Sequence, residues 1–501
     1  MGSEHAVTSD ELGQISDPTQ RLAATIQFRG QLDLASVATS TPSQLVQRLK
    51  NFEQTNAVEA SRYLAQFSSS EVSEIRHLWI TNALWLQATP KRLIGLLNLP
   101  SVQSISISHS ANEPETSLHS NEAFSGEAET GKTVSSSSAD GMPAWGIQKV
   151  GAPQAWKRGF QGQGVLVALI DSGVNYRHPD LRPNIWKNPG EWGNDAHGNL
   201  KMNNQIDDDR NGYIDDIMGW NFETDSNQIV DYLGHGSATA GIIAGNGTAG
   251  RPTGVAPQSR LMALQIGAGR GPQIMQLQIW EAIQYALVNH AQVISMSLTL
   301  SQANRTDALL WHRIGQILLA AGIVHVNSAG NSGEQSSGQL SIPASNPSPW
   351  YPAMEPNLAE YSHRTATLTV GATDREDQVR PYSSFGPVFW SVLSPESVTK
   401  LATGQSSQTF TKPDLCAPSG VPTIAVSGNG YTASFGGTSA AAPHVAGAVA
   451  LLLSARARLT PSQIAEALVS SSLPMPARTG HRCGAGRMDI IAALDYVTKF
   501  F

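Results

Sequence analysis

Short apolar runs recur from Trp145 onward, at Val165 to Ile170, Leu261 to Ile266, Val293 to Leu298 and Ile323 to Val326, with helical stretches between them. Strands that alternate with helices pair in parallel through crossover connections, so this order predicts an α/β fold with a doubly wound, mostly parallel sheet. Such sheets bind ligands in the crevice beyond the carboxyl ends of their strands, which directs attention to the residues that follow each run. At 501 residues the chain is too long for one ordinary core, and a second, smaller folding unit is expected.

Residues 21–108 carry a different pattern. Leu22 to Phe28 reads as a strand, and Thr41 with Pro42 supplies an N-cap and first-turn proline for a helix with Leu45, Val46 and Leu49 on one side. His77 to Ile80 and Ala83 to Gln87 read as strands around a Thr81-Asn82 turn. Thr89 and Pro90 repeat the capping signal ahead of Leu93, Ile94 and Leu97, and Val102, Ile105 and Ile107 suggest a closing strand. This βαββαβ order predicts a small α+β, ferredoxin-like domain. Residues 1–20 are expected to be a flexible tail; their opening, MGSEHAVTSDELG, has neither the basic and apolar segments of a signal peptide nor an anchor. Residues 109–143, dominated by Ser, Glu, Thr and Gly, read as a polar linker before a unit spanning 144–501.

A net charge of -7 from 40 acidic and 33 basic residues leaves no basic footprint for nucleic acid. No run approaches the roughly 18 uninterrupted apolar residues of a spanning helix, so no membrane partner is expected. With only Cys416 and Cys483, a disulfide scaffold and a multi-cysteine metal site are ruled out. Two buried thiols are the commoner arrangement, and one bridge between them stays open.

Three polar residues stand at places that matter in such a fold. Asp171 directly follows a strand in GVLVALIDSGVNYRHPDL; His235 lies between Gly234 and Gly236, ahead of a small-residue helix; Ser439 follows two glycines and opens a long apolar helix, with Pro443 in its first turns. Singly, each has an ordinary use as a strand-end cap, a structural imidazole or an N-cap. Together, the segments resemble the three active-site signatures of the subtilisin-like serine proteases, the subtilase family: strand-Asp-Ser-Gly, His-Gly-x-x-x-Ala-Gly and Gly-Thr-Ser-x-Ala-x-Pro-His, in that chain order. The resemblance runs from about Trp145 to Asp489 and includes Gly254-Val255-Ala256-Pro257, Ser295-Met296-Ser297-Leu298 and Lys412-Pro413-Asp414.

That resemblance implies Ser439 as nucleophile, His235 as general base and acid, and Asp171 as the carboxylate orienting the imidazole. It implies that Asn331, in HVNSAGNSG, shares an oxyanion hole with the Ser439 backbone N–H. A protein or peptide substrate would lie as an added strand along Ser297, Leu298 and Thr299, with a second rim near Gly269 to Gln273; Ser328, Ala329 and Gly330 would line the first specificity pocket. The chain departs from the family at Thr299, where glycine is usual and a branched side chain narrows the pocket mouth, and at Ala440, where methionine is usual. The N-terminal unit resembles the family's propeptide, which would assist folding and act as an intramolecular inhibitor until cut away in the linker. The implied function is a serine endopeptidase made as a self-processing precursor, secreted or, since no signal peptide is present, intracellular. A catalytically silent subtilase serving as a binding module is the rival. An α/β-hydrolase lipase or esterase requires Gly-x-Ser-x-Gly and the order Ser, Asp, His, whereas Ser439 stands in Gly-Thr-Ser-Ala-Ala and comes last.

In IDDDRNGYIDD, Asp207, Asp209, Asn211 and Asp215 occupy alternate positions with Gly212 at the turn, an EF-hand-like set of oxygen ligands, although Met218 replaces the glutamate of the twelfth position. An acidic, solvated turn is the plain alternative. Similar insertions precede the catalytic histidine in calcium-binding subtilases, which implies a structural Ca²⁺.

Overall fold

The computed structural model describes residues 7–37, 40–108, 133–134, 141–267, 269, 271–300, 305–334, 340–350, 364–389, 409–476 and 481–501. In the N-terminal unit the capping chemistry works as its residues suggest at α2 (Pro42–Leu64), where Thr41 and Gln44 form a reciprocal capping box. Thr89 occupies the N-cap of α3 (Pro90–Leu97), but its side chain makes no capping bond. The strands β1 (Leu22–Phe28), β2 (Val72–Leu78), β3 (Ala83–Ala88) and β4 (Val102–Ser108) form an antiparallel sheet in the order β2-β3-β1-β4. β2 starts well before the apolar run that marks it, because Ser73, Glu74 and Arg76 break the pattern after Val72 and a bulge with Glu74 at φ 52° interrupts the register.

One face of this sheet buries Leu22, Ala24, Ile26 and Phe28 with Ala57, Ala60 and Leu64 of α2 and Leu93 and Leu96 of α3. The expected flexible tail is corrected from Val7 onward. Val7 N–H donates to Ile105 O, a Thr8–Glu11 capping box opens α1 (Ser9–Gly13), and Leu12 is buried in the same core. Residues 109–132 and 135–140 of the expected linker lie outside the described residues; Thr133–Val134 form β5.

After α4 (Trp145–Lys149) and α5 (Ala152–Lys157), the larger unit is built on seven strands: β6 (Leu166–Asp171), β7 (Gly219–Asn221), β8 (Arg260–Gln265), β9 (Val293–Met296), β10 (Val324–Ser328), β11 (Thr367–Thr373) and β14 (Leu415–Pro418). Their order is β14-β11-β10-β9-β6-β8-β7, and every neighbouring pair is parallel. Alternate residues of β6, β8 and β9 enter two cores. Val167, Leu169, Val293 and Val326 pack with α6 (His235–Ala244) and α9 (Gly437–Ala455), whereas Ala168, Ile170, Ile294 and Met296 pack with α7 (Pro272–Val288) and α8 (Arg305–Ala320). Burial on both faces is why these strands read as continuous apolar runs. A short hairpin, β12 (Gly386–Phe389) with β13 (Thr409–Lys412), and a small sheet in the order β15 (Val421–Ile424), β16 (Tyr431–Phe435), β5 lie outside the main sheet. Helices α10 (Pro461–Ser470) and α11 (Ile490–Phe500) complete the chain. Cys416 of β14 is bridged to Cys483, so the two-thiol arrangement is replaced by a disulfide. Among the described residues only α9 is long and apolar enough to cross a bilayer, and it is buried inside the fold.

The second face of the N-terminal sheet meets the larger unit. Trp79, Ile80, Ala83 and Trp85, with Leu45, Val46 and Leu49 of α2, share a core with α7 and α8. Ile80 N–H donates to Gln284 Oε1 at 3.0 Å and Gln284 Nε2 donates to His77 O at 3.2 Å. Arg76 pairs with Asp225 at 3.1 Å and lies 3.7 Å from Glu281.

Candidate active site

The sheet carries the singled-out residues to one end. Asp171 is the last residue of β6; Ser297, Leu298 and Thr299 follow β9; Ser328 ends β10, and Ala329, Gly330 and Asn331 follow it. Two helices begin over the same edge, α6 with His235 and α9 two residues before Ser439. Their first turns pack together through Ala238, Ile242 and Ala440, and Phe435 lies edge-on to the His235 ring with centroids 5.3 Å apart.

His235 Nδ1 and Asp171 Oδ1 are 2.7 Å apart, both residues being buried. Ser172 N–H donates to Asp171 Oδ1 at 2.8 Å and Thr239 Oγ1 to Oδ2 at 3.1 Å, so the carboxylate is held from both sides. Burial disfavours the imidazolium, but the charge and hydrogen bond of Asp171, together with the charge of Asp231, outweigh it and hold His235 above the usual histidine range.

Ser439 owes its setting to Pro443. The proline is the seventh residue of α9, beyond the first turns, and lacks the N–H that would bond the carbonyl four residues earlier. Ser297 Oγ donates to that Ser439 carbonyl instead, at 3.0 Å, while Ser439 Oγ donates to the Ser297 carbonyl at 3.1 Å. This reciprocal pair ties the helix start, with its positive dipole end, to the end of β9. Asn331 Oδ1 accepts from Thr438 N–H at 2.9 Å and Thr438 Oγ1 at 3.1 Å, so donation falls to its Nδ2 group. Thr438 was not singled out from sequence, and its place beside the serine was the available signal.

The segments expected to hold substrate face each other. Gly330 has φ 100°, its N–H donates to Thr438 Oγ1 and its carbonyl accepts from Ser384 N–H. A Cβ added there would stand 3.2 Å from Ser384 Oγ and 3.5 Å from Thr299 Oγ1, so Thr299 closes on Gly330 across the gap. Leu298 and Ala329 are buried beneath. Asn327 Nδ2 donates to Leu298 O at 3.2 Å and Ser328 O at 2.8 Å, bracing both segments.

The acidic segment folds differently from its spacing. Asp207 accepts from Asn211 and Gly212 N–H, and Asp215, at φ 54°, accepts from Asn204 and Gln205 N–H. Asn211 Nδ2 donates to Asp216 Oδ2 at 2.8 Å. Asp207, Asn211 and Asp215 thus also brace the turn, and among the described residues Asp209 of the expected set joins a carboxylate cluster with Glu191 and Asp216; one oxygen from each lies within 4.8 Å of the others. Glu191 is fully buried, its Oε2 has no hydrogen-bond partner, and burial pushes its carboxyl up to about 7. Burial raises Asp209 and Asp216 as well. Such a set of crowded hard oxygens fits a divalent cation. Glu191 was hidden from a spacing argument because it lies outside the Asp-rich run, in NPGEW.

The profile of the subtilase family matches residues 162–486. The chain is 28% identical over 332 residues to Subtilisin of Bacillus pumilus, an alignment covering 66% of this chain and 90% of that protein. It is 27% identical over 341 residues to the Major intracellular serine protease of Bacillus subtilis (strain 168), covering 66% and 82%. Bacillopeptidase F of the same organism is 25% identical over 469 residues, covering 91% of this chain and 29% of that protein. With a profile match over more than half of its length and an α/β sheet that agrees with it, the chain belongs to the subtilase family and is a subtilisin-like serine peptidase.

Proposed function

We propose that Asp171, His235 and Ser439 form a catalytic triad that cleaves peptide bonds inside proteins through an acyl-enzyme. The observation that carries this reading is the buried 2.7 Å His235–Asp171 pair, placed where the start of α9 brings Ser439. His235 takes the Ser439 proton as Oγ bonds to the substrate carbonyl carbon, and returns it to the leaving amine; water then repeats the sequence on the ester. Asp171 fixes the tautomer with Nδ1 as donor and stabilises the imidazolium. The developing oxyanion is met by the Ser439 N–H and Asn331 Nδ2, whose amide is oriented by Thr438. Substrate pairs as a strand with 297–299 and 328–330, and Thr299 restricts the side chain before the scissile bond.

The N-terminal unit is read as a propeptide docked on α7 and α8, cut from the larger unit within residues 109–143. β5 is already part of a sheet with β16, which favours a cut upstream of Thr133. A secreted enzyme is the reading favoured by the disulfide. A Ca²⁺ ion held by Glu191, Asp209 and Asp216 would neutralise three crowded carboxylates and stiffen the loop ahead of His235. Incubating purified full-length chain with and without Ca²⁺, then measuring intact mass and labelling with a fluorophosphonate, tests the whole scheme. Covalent labelling at Ser439 and conversion to a species starting within 109–143 are expected. A folded chain that neither labels nor cleaves a peptide library would leave only a scaffolding role.

A further inference from the structure

Asp231 lies four residues before His235, is buried, and is ringed by donors. Its Oδ1 accepts from Leu233 N–H at 3.0 Å, Gly234 N–H at 2.8 Å and Ser172 Oγ at 3.0 Å. Its Oδ2 accepts from Ser237 N–H at 2.8 Å and Ser237 Oγ at 2.6 Å. An N-cap needs one acceptor for one or two backbone donors. Here a single carboxylate grips the chain on both sides of His235. Through Ser172, whose Oγ also accepts from Gly236 N–H at 2.9 Å and whose own N–H donates to Asp171, it couples the imidazole's helix to the triad carboxylate's strand. The fit leaves no slack at Gly173, at φ 110°, where a Cβ would come within 2.9 Å of Asp231 backbone atoms.

We propose that Asp231 is a second carboxylate serving His235, a positioning residue that holds the segment carrying the imidazole against the end of β6; this rests on the catalytic reading above. The charged groups facing His235 are Asp171, from the end of β6, and Asp231, from the approach to α6; Phe435 from β16 and Ser439 from α9 carry no charge. Burial raises the Asp231 carboxyl, while the donors from Ser237 and Gly234 oppose this and favour its ionised form. When the Ser439 proton passes to His235, the imidazolium forms against the Asp171 carboxylate and within the field of Asp231, and Asp231 itself neither gains nor loses a proton.

Asp231→Asn keeps the shape and removes the charge. Its kcat is expected to fall roughly tenfold to a hundredfold, displacement of a catalytic group by about 1 Å being worth about a hundredfold, with KM changed little. The acid limb of kcat/KM should move to lower pH, because His235 loses a charge that raises it. Titration of His235 by NMR in a Ser439→Ala background reads the same shift without turnover. Asp231→Ser, which keeps a capping hydroxyl, replaces the Asn variant if that one does not fold. If Ser439→Ala is inactive but both Asp231 variants titrate like the parent, Asp231 is only a helix cap and the inference fails. If Ser439→Ala retains turnover, the triad reading itself falls.

Discussion

The N-terminal sheet is antiparallel and lends its two faces to different partners: Leu84 and Leu86 point into its own core, Ala83 and Trp85 into the core shared with α7. The larger sheet is parallel, covered by helices of one unit on both faces, and brings the candidate site residues to the carboxyl ends of β6, β9 and β10. An antiparallel sheet with one face to spare can dock; a sheet covered twice has only its ends left for chemistry. On the proposed reading the two units divide docking from catalysis, and that division is open to attack from either side.

The sharpest cut is Ser439→Ala. Turnover of a peptide substrate should fall by roughly a millionfold, the scale found when a subtilisin loses its nucleophile, while calorimetry shows both units folded and docked. Simultaneous loss of docking would mean that the two roles are not separable. Asn331→Ala should lower kcat by about a hundredfold to a thousandfold with melting unchanged, since it removes one oxyanion donor. A full-speed variant would take Asn331 out of the reaction.

On the adhesive side, Arg76→Glu sets three carboxylates together with Asp225 and Glu281. The Arg76 side chain is partly exposed and Asp225 is exposed, and solvent-screened pairs of this kind are worth about 1 kcal/mol at most, so limited proteolysis in the Ser439→Ala background should release the N-terminal unit up to roughly fivefold faster. An unchanged rate would assign docking to the apolar contacts alone.

The smallest effect is a pH dependence of docking. Burial pushes Glu281 up to about 7 from 4.5, against the nearby Arg76 charge. The docked state therefore holds an extra proton between those values, and docking weakens as pH rises through that window and levels off above it. His77, raised by its hydrogen bond to Glu53, acts in the same direction within the N-terminal unit: its contribution is present below 6.5 and lost above its raised value. Glu281→Gln should flatten the dependence measured by the same proteolysis between pH 5 and pH 8. A flat profile in the parent chain would sink the idea.

The sequence disclosed whatever depends on local pattern. β1 and the start of α2 follow from period-two burial and a Thr-Pro cap, and β6, β8, β9 and β10 from apolar runs that are within a residue or two of the observed strands. β11, spelled TLTVGAT, stayed hidden because its threonines break the apolar pattern although they are buried, Thr369 Oγ1 donating to Ala344 O. Asp171, His235 and Ser439 were legible because each sits in an extended motif. The carboxylate cluster was not, since the fold brings Glu191, from outside the Asp-rich run, and Asp216 to Asp209. Asp231 was passed over for a related reason: one Asp before a glycine reads as a cap until its five donors are seen together.

The Cys416–Cys483 bridge spans 67 positions and encloses all of α9. A peptidase working among copies of itself is exposed to autolysis. One nick between those cysteines leaves both new ends covalently joined, so no fragment bearing Ser439 can diffuse away. On denaturing gels a singly nicked chain would run as one species without reductant and as two with it.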